Sequence, residues 1–130
     1  MEKVDVIIAL NALAQETRLD IFRYLVQRGP AGVPAGQIGD YLKLPPATLS
    51  FHLKTLQHAG LVERQRQSRS LIYAANFARM NSLLAYLTEN CCAGDPGHCA
   101  TLCQHDQMHN ATDPALATSN SLETAKRLRR

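Results

Sequence analysis

Apolar residues recur along the first ninety positions at the spacing of helices, then briefly at that of strands, then at that of a helix again. Residues 2–13 read as a first helix, with Val4, Ile7, Ile8 and Leu13 as candidate buried positions. In "ETRLDIFRYLVQRG", Leu19, Phe22, Leu25 and Val26 recur at helical spacing, which predicts a second helix. Gly29-Pro30 ends it, because Gly accepts the left-handed cap and Pro cannot continue a helix. A short helix starting near Pro34 is expected to bury Ile38, Tyr41 and Leu42, Pro being welcome in a first helical turn.

The clearest element is "LPPATLSFHLKTLQHAGLV". Pro45-Pro46 opens a new helix and forbids fusion with the one before. Leu49, Leu53 and Leu56 stand at i, i+4 and i+7 and form one buried stripe. Ala59-Gly60-Leu61 reads as a helix end, with Gly60 left-handed and Leu61 folding back. Two helices joined by a tight turn make a helix-turn-helix. The period then changes. "LVERQRQSRSLIYAAN" predicts strands at 62–67 and 70–75 around the polar tip Gln67-Ser68-Arg69, where no Gly marks a standard turn. A basic hairpin directly after a helix-turn-helix is a wing. Residues 77–90 return to helix, with Phe77, Met80, Leu83, Leu84 and Leu87 on an apolar face.

The first and last helices carry more apolar surface than one small domain can cover, which predicts a homodimer paired through them. The expected fold is therefore mainly α with a small β-hairpin, a winged helix-turn-helix. Residues 1–90 form the DNA-binding and dimerisation domain. Residues 91–130 form a cysteine-containing segment and an expected flexible basic tail, whose "NSLETAKRLRR" reads as a last short helix capped by Asn120 with Glu123 three residues on.

Composition sharpens this picture in two ways. Aromatics make up 5% of the 130 residues and Trp is absent, so the core must be aliphatic, which suits helices. No apolar run reaches the ~18–20 residues that span a bilayer, and acidic residues and Asn interrupt the N-terminal stretch, a poor secretory signal. No membrane partner is expected, and the expected location is cytoplasmic. Charge points to a partner. Between positions 43 and 69, Lys43, Lys54, Arg64, Arg66 and Arg69 face one acid, Glu63. That is a candidate phosphate-binding footprint, the competing reading being an ordinary solvated face.

With Leu49, Leu53 and Leu56 inward, a turn of about 100° per residue points Ala47, Phe51, Lys54, Thr55 and His58 outward, with Thr48 and Ser50 flanking. The N-terminal residues of a recognition helix reach base edges. Thr48, Ser50 and Phe51 are the base-facing candidates, since hydroxyls donate or accept and Phe packs on a thymine methyl. Lys54 and the helix N-terminus suit phosphates, and Thr55 shares their face. Arg66 and Arg69 on the wing suit a backbone or a minor groove. His52 lies about 60° off the stripe and reads as a half-buried packing or phosphate-contacting histidine rather than a metal ligand.

"ALNALAQETRLDIFRYL", "LPPATLSFHLKTLQHAGLVERQRQSRSLIYAAN" and the helix order resemble the ArsR/SmtB family of winged-helix metal-sensing repressors. The pattern Ser50-x-His52-Leu53-x-x-Leu56-x-x-Ala59-Gly60-Leu61-Val62 carries most of the likeness, which covers residues 1–90. Phe51 stands where the family often has a polar residue, and the wing lacks its usual Gly. The resemblance implies a cytoplasmic homodimer on a palindromic operator, released when a metal or metalloid binds. One family effector site, a Cys-x-Cys-type motif before the recognition helix, has no counterpart in "GQIGDYLKL". Another, made of Asp and His on the last helix, has none in "NFARMNSLLAYLTEN". "CC…C" after that helix is similar to the arsenite- and antimonite-responsive members with a C-terminal thiolate site.

All four cysteines, Cys91, Cys92, Cys99 and Cys103, fall within "ENCCAGDPGHCATLC". In a reducing compartment clustered thiols are more often ligands or redox sensors than structural disulfides. Neighbouring Cα atoms are ~3.8 Å apart, short of the ~4.4–6.8 Å of ordinary disulfides. Two adjacent thiolates still converge on one large soft centre, and As(III) or Sb(III) takes three sulfurs. Cys99 can loop back to supply the third, or Cys103 in its place. Zn(II) or another divalent ion is the competing effector, because His98, His105 and His109 lie nearby and mixed Cys/His sets suit zinc. A thiol redox-sensing repressor is the third reading. Catalysis is not expected. No C-x-x-C, nucleotide loop, paired carboxylates or Ser/His/Asp set stands out.

Overall fold

The computed structural model describes residues 1–94. They comprise one compact unit, Met1–Leu87, and the start of a second, Thr88–Arg130. In the first unit the order is α1 (Lys3–Leu13), α2 (Glu16–Arg28), β1 (Val33–Pro34), α3 (Ala35–Leu42), α4 (Pro46–His58), β2 (Val62–Gln67), β3 (Ser70–Ala75) and α5 (Phe77–Leu87). This is the winged helix-turn-helix expected from the sequence, with the hairpin at the expected residues.

The core is mainly aliphatic, with the aromatic rings of Phe22, Tyr24 and Tyr73 also buried in it. Ile21 and Leu25 of α2, Ile38 of α3, Leu53 and Leu56 of α4, and Leu61 beyond it are fully enclosed. Burying each such side chain is worth about 1.5–3 kcal/mol before chain entropy is counted. Gly29 ends α2 with a positive φ (87°) but an extended ψ (−176°), a conformation open to glycine and not the expected left-handed helical cap, its N–H donating to the Leu25 and Val26 carbonyls. Pro34 precedes α3 and Pro45 precedes α4, both extended, so each helix starts at a residue already turned out of helical geometry. The end of α4 is a Schellman turn: Leu61 N–H donates to Leu56 O at 3.1 Å and Gly60 N–H to Gln57 O at 2.9 Å. Gly60 has φ 76°, which a side chain would strain.

Three expectations about burial are corrected. On α1 the core face is Val6, Ala9 and Ala12, whereas Val4, Ile7 and Ile8 are 66%, 50% and 47% exposed. The small alanines let α1 lie close on its neighbours, and the larger residues fall on the opposite side. Leu19 is exposed on α2, where Ile21 takes the buried position. Tyr41 is also exposed, its ring stacked on buried Tyr24 with centroids 4.4 Å apart.

The sheet has the order β1-β3-β2 and is antiparallel. In the hairpin, Val62 pairs with Ala75 and Gln67 with Ser70, leaving Ser68-Arg69 as a two-residue tip. Ser68 takes the left-handed conformation (φ 54°) that Gly usually supplies there. β1 is an addition to the expected hairpin. Val33 pairs with Tyr73 and Pro34 with Ile72, and Pro is tolerated because this strand is an edge.

Replacing Leu53 by Ala removes an enclosed part of the α4 stripe. It is expected to cost about 2–5 kcal/mol, read as a lower urea midpoint with an unchanged m-value.

Candidate nucleic-acid interface

The same stripe that anchors α4 decides what the helix shows to solvent. Leu49, Leu53 and Leu56 are buried, while Ala47, Thr48, Ser50, Phe51, Lys54 and His58 are exposed. Phe51 is 65% exposed, a large ring on an otherwise polar face. The Thr55 hydroxyl donates back to the Phe51 carbonyl at 3.2 Å, so it serves the helix itself. Pro45 offers no side-chain cap, which leaves the first-turn N–H groups of Ala47 and Thr48 open to an external acceptor.

The turn between α3 and α4 is short and closed. Leu44 N–H donates to Gly39 O at 2.9 Å, and Lys43 is left-handed (φ 55°) and exposed. Along the wing, every residue from Glu63 to Ser70 is exposed. Arg64 pairs across the ladder with Tyr73, and Arg66 with Leu71. Directly opposed residues share a sheet face, so both arginines lie on the face that starts in the core at Val62 and Ala75. Arg69 stands at the tip. Basic side chains thus line the outer part of the hairpin.

His52 is half-buried beside Phe51, their rings edge to face at 5.6 Å. Burial holds its pKa below the ordinary 6.5, and the Arg18 guanidinium adds to the effect. Arg18 itself is fixed: its Nε donates to Ala12 O at 2.7 Å and an Nη to Asn11 O at 3.5 Å, across the end of α1. Neither role was readable from Arg18's place in the sequence, because nothing in the helical period links it to a residue of α4.

In the second unit, Cys91 and Cys92 lie in a tight turn, Cys91–Gly94, in which Cys92 and Ala93 have non-helical backbone angles, and both cysteines are half-buried. Cys91 N–H donates to Thr88 O at 3.0 Å, and Cys92 is left-handed (φ 58°). Cys99 and Cys103 lie outside the described residues, as do His98, His105, His109 and the predicted helix near the C-terminus. Among the described residues, no group of three His, Cys, Asp or Glu is placed to hold a metal ion, and no helix is long and apolar enough to cross a membrane.

A helix-turn-helix with an exposed polar face, an open N-terminus and a basic wing defines a DNA-binding transcription regulator. Residues 13–65 match the helix-turn-helix domain family. Over 82 residues the chain is 33% identical to the arsenical resistance operon repressor of Bacillus subtilis, spanning 63% of this chain and 74% of that protein. It is 37% identical over 60 residues to the B. subtilis HTH-type regulator YceK, spanning 46% of this chain but only 59% of YceK. Among solved structures, the homodimeric winged helix-turn-helix domain of Mb0332 from Mycobacterium bovis superimposes with a TM-score of 0.53 at 27% identity. That match covers 66% of this chain and 80% of that one. The chain belongs to the ArsR family of winged-helix transcription regulators.

His52 gives the domain a pH dependence whose sign follows from its environment. The folded ring binds a proton less readily than the unfolded one, so the unfolded state gains protons first as pH falls. The stability this histidine permits is complete above pH 6.5, its ordinary pKa, and declines as pH falls from there through the lowered folded value. Wild type should lose more of its urea midpoint than His52→Gln between about pH 7.5 and about pH 5.5. Equal losses would refute this.

Proposed function

We propose that this protein is a homodimeric repressor that binds a palindromic operator and is released when As(III) or Sb(III) is captured by its cysteines. The observation that carries the effector is the placement of all four thiols between Cys91 and Cys103, beginning four positions after α5 ends. Adjacent thiolates favour a soft centre. Bound to As(III) as its trihydroxide, three thiols exchange three As–O bonds for As–S bonds and release three waters. Cys91 and Cys92 supply two sulfurs, and Cys99 or Cys103 the third. The similarity to an arsenical resistance operon repressor supports a metalloid effector.

Dimerisation is supported by the row Val4, Ile7 and Ile8, which the core leaves uncovered on α1. A second copy of α1 and α5 would remove it from water. It would also set the two α4 helices for successive major grooves ~34 Å apart on one face of the duplex. On the DNA, Thr48, Ser50 and Phe51 face base edges. Lys54 and the open start of α4 take phosphate, and Arg66 and Arg69 follow the backbone or the minor groove. His52 and Thr55 support the same helix from its flanks. A protein that works in this way acts in the cytoplasm. Gathering the thiols just after α5 would change the dimer geometry and so the spacing of the recognition helices. Allosteric coupling of ~1–3 kcal/mol would weaken operator binding about 5–150-fold.

The operator is recovered by selection from random duplexes, and its affinity is then measured by fluorescence anisotropy with As(III), Sb(III), Zn(II) or Cd(II). As(III) or Sb(III) is expected to release the wild type, whereas Cys91→Ser keeps its DNA affinity and ignores both. Release by Zn(II) or Cd(II) alone would establish a divalent-metal sensor instead. Release by a disulfide-forming oxidant alone would establish a thiol redox sensor. Loss of DNA binding in Cys91→Ser without any effector would end the ligand role of Cys91.

Arg66→Ala should weaken binding to all duplexes alike and lower the slope of log K against log salt by about 1. Phe51→Ala should instead relax preference at one base pair and leave the slope unchanged.

A further inference from the structure

Arg79 of α5 stands where three elements meet. Its fork lies against Gly60, at the end of the recognition helix. A Cβ built on Gly60 would come within 2.8 Å of Arg79 Nε, 3.1 Å of its Nη2 and 3.2 Å of its Cζ. Arg79 Nη2 also lies 3.9 Å from Asp5 Oδ1 of α1. Its backbone is tied to the same place. Arg79 N–H donates to Asn76 Oδ1 at 3.1 Å, and Asn76 N–H donates to Leu61 O at 2.8 Å, one residue past Gly60.

This arrangement is more specific than an arginine covering apolar surface with its stem. The guanidinium sits at the C-terminal end of α4, where the helix dipole favours a positive charge. Arg79 Nε is enclosed without a hydrogen-bond partner, which costs folding free energy. The ion pair with Asp5 cannot repay that cost, since both side chains are about one-third exposed and such pairs contribute little. Gly60 is needed twice, by its φ of 76° and by the space the fork occupies. The contact therefore fixes geometry more than it adds stability. It joins the end of the helix that faces DNA to α1 and α5, the two helices whose outer faces the core leaves uncovered.

We propose that Arg79 is a positioning residue for operator binding, holding the C-terminal turn of α4 at a fixed angle to α1 and α5. The proposal rests on the DNA-binding reading but not on the identity of the effector. In a dimer, the angle of each α4 decides whether both recognition helices meet their half-sites together. A loosened α4 would still lie against any phosphate backbone, so discrimination suffers before non-specific affinity does.

The test compares the full chain with Arg79→Met, Arg79→Lys and Gly60→Ala, plus the double variant Arg79→Met/Gly60→Ala. Each is measured on the selected operator, on an unrelated duplex and in urea unfolding. Arg79→Met keeps the stem and removes the fork. It is expected to lose about tenfold or more in operator affinity, within the range of couplings between sites, with binding to the unrelated duplex and the urea midpoint little changed. Arg79→Lys retains charge without the flat fork and should rescue only in part. Gly60→Ala should weaken operator binding in the wild type. In the double variant the two effects should not add, because the fork is no longer there to be displaced. Equal loss on both duplexes or a loss that tracks the urea midpoint in Arg79→Met, or full additivity of the operator losses in the double variant, would overturn the proposal; the φ of Gly60 lowers the midpoint of Gly60→Ala in any case. If the wild type itself shows no salt-dependent preference for any duplex, the DNA-binding reading fails instead, and this one with it.

Discussion

Burial of one leucine stripe governs both halves of this molecule's design. Leu49, Leu53 and Leu56 seat α4 on α2 and α3, and that seating decides which residues are left outward. A helix of 13 residues would be marginal alone in water. Its stability comes from tertiary packing of one face, so the opposite face is free to be polar and to carry an exposed Phe51. Rotating the helix by one residue, about 100°, would bury Ser50, Lys54 and Gln57 and expose the leucines. The register of recognition is thus set by hydrophobic free energy, not by contacts to DNA.

That explains how much was legible in the sequence. The Leu stripe, the Pro45-Pro46 start and the Gly60 end each have a local physical signature, and the structure shows all three. The hairpin was readable because its apolar residues change from a period near four to a period of two. Where the period was ambiguous, legibility failed. On α1 the reading favoured the large residues Val4, Ile7 and Ile8 over Val6, Ala9 and Ala12, because size is a poor guide when helices pack closely. β1 has two residues, too few for any period, and its pairing with β3 depends on a contact across forty positions of sequence.

The interface was legible as a face but not as a set of contacts. The outward positions of α4 follow from geometry alone. The lowered pKa of His52 does not, because it depends on burial and on Arg18, thirty-four residues earlier. Arg79 is the same kind of case: a charged residue on a helix gives no sign, in sequence, of the glycine it covers. The thiol chemistry is the reverse. The adjacency of Cys91 and Cys92 is plain in the sequence, whereas Cys99 and Cys103 fall outside the described residues.

The small strand β1 links parts that the chain order keeps separate. Val33 and Pro34 pair with Tyr73 and Ile72, and the next residue is the first of α3. The stalk of the wing and the entrance to the helix-turn-helix therefore share one hydrogen-bonded ladder. A pull exerted on the hairpin by a nucleic-acid strand would reach the base of α3 through this ladder, whose Val33 and Tyr73 are themselves buried in the core. Wing and helix-turn-helix are thus coupled through main-chain pairing as well as through side-chain packing.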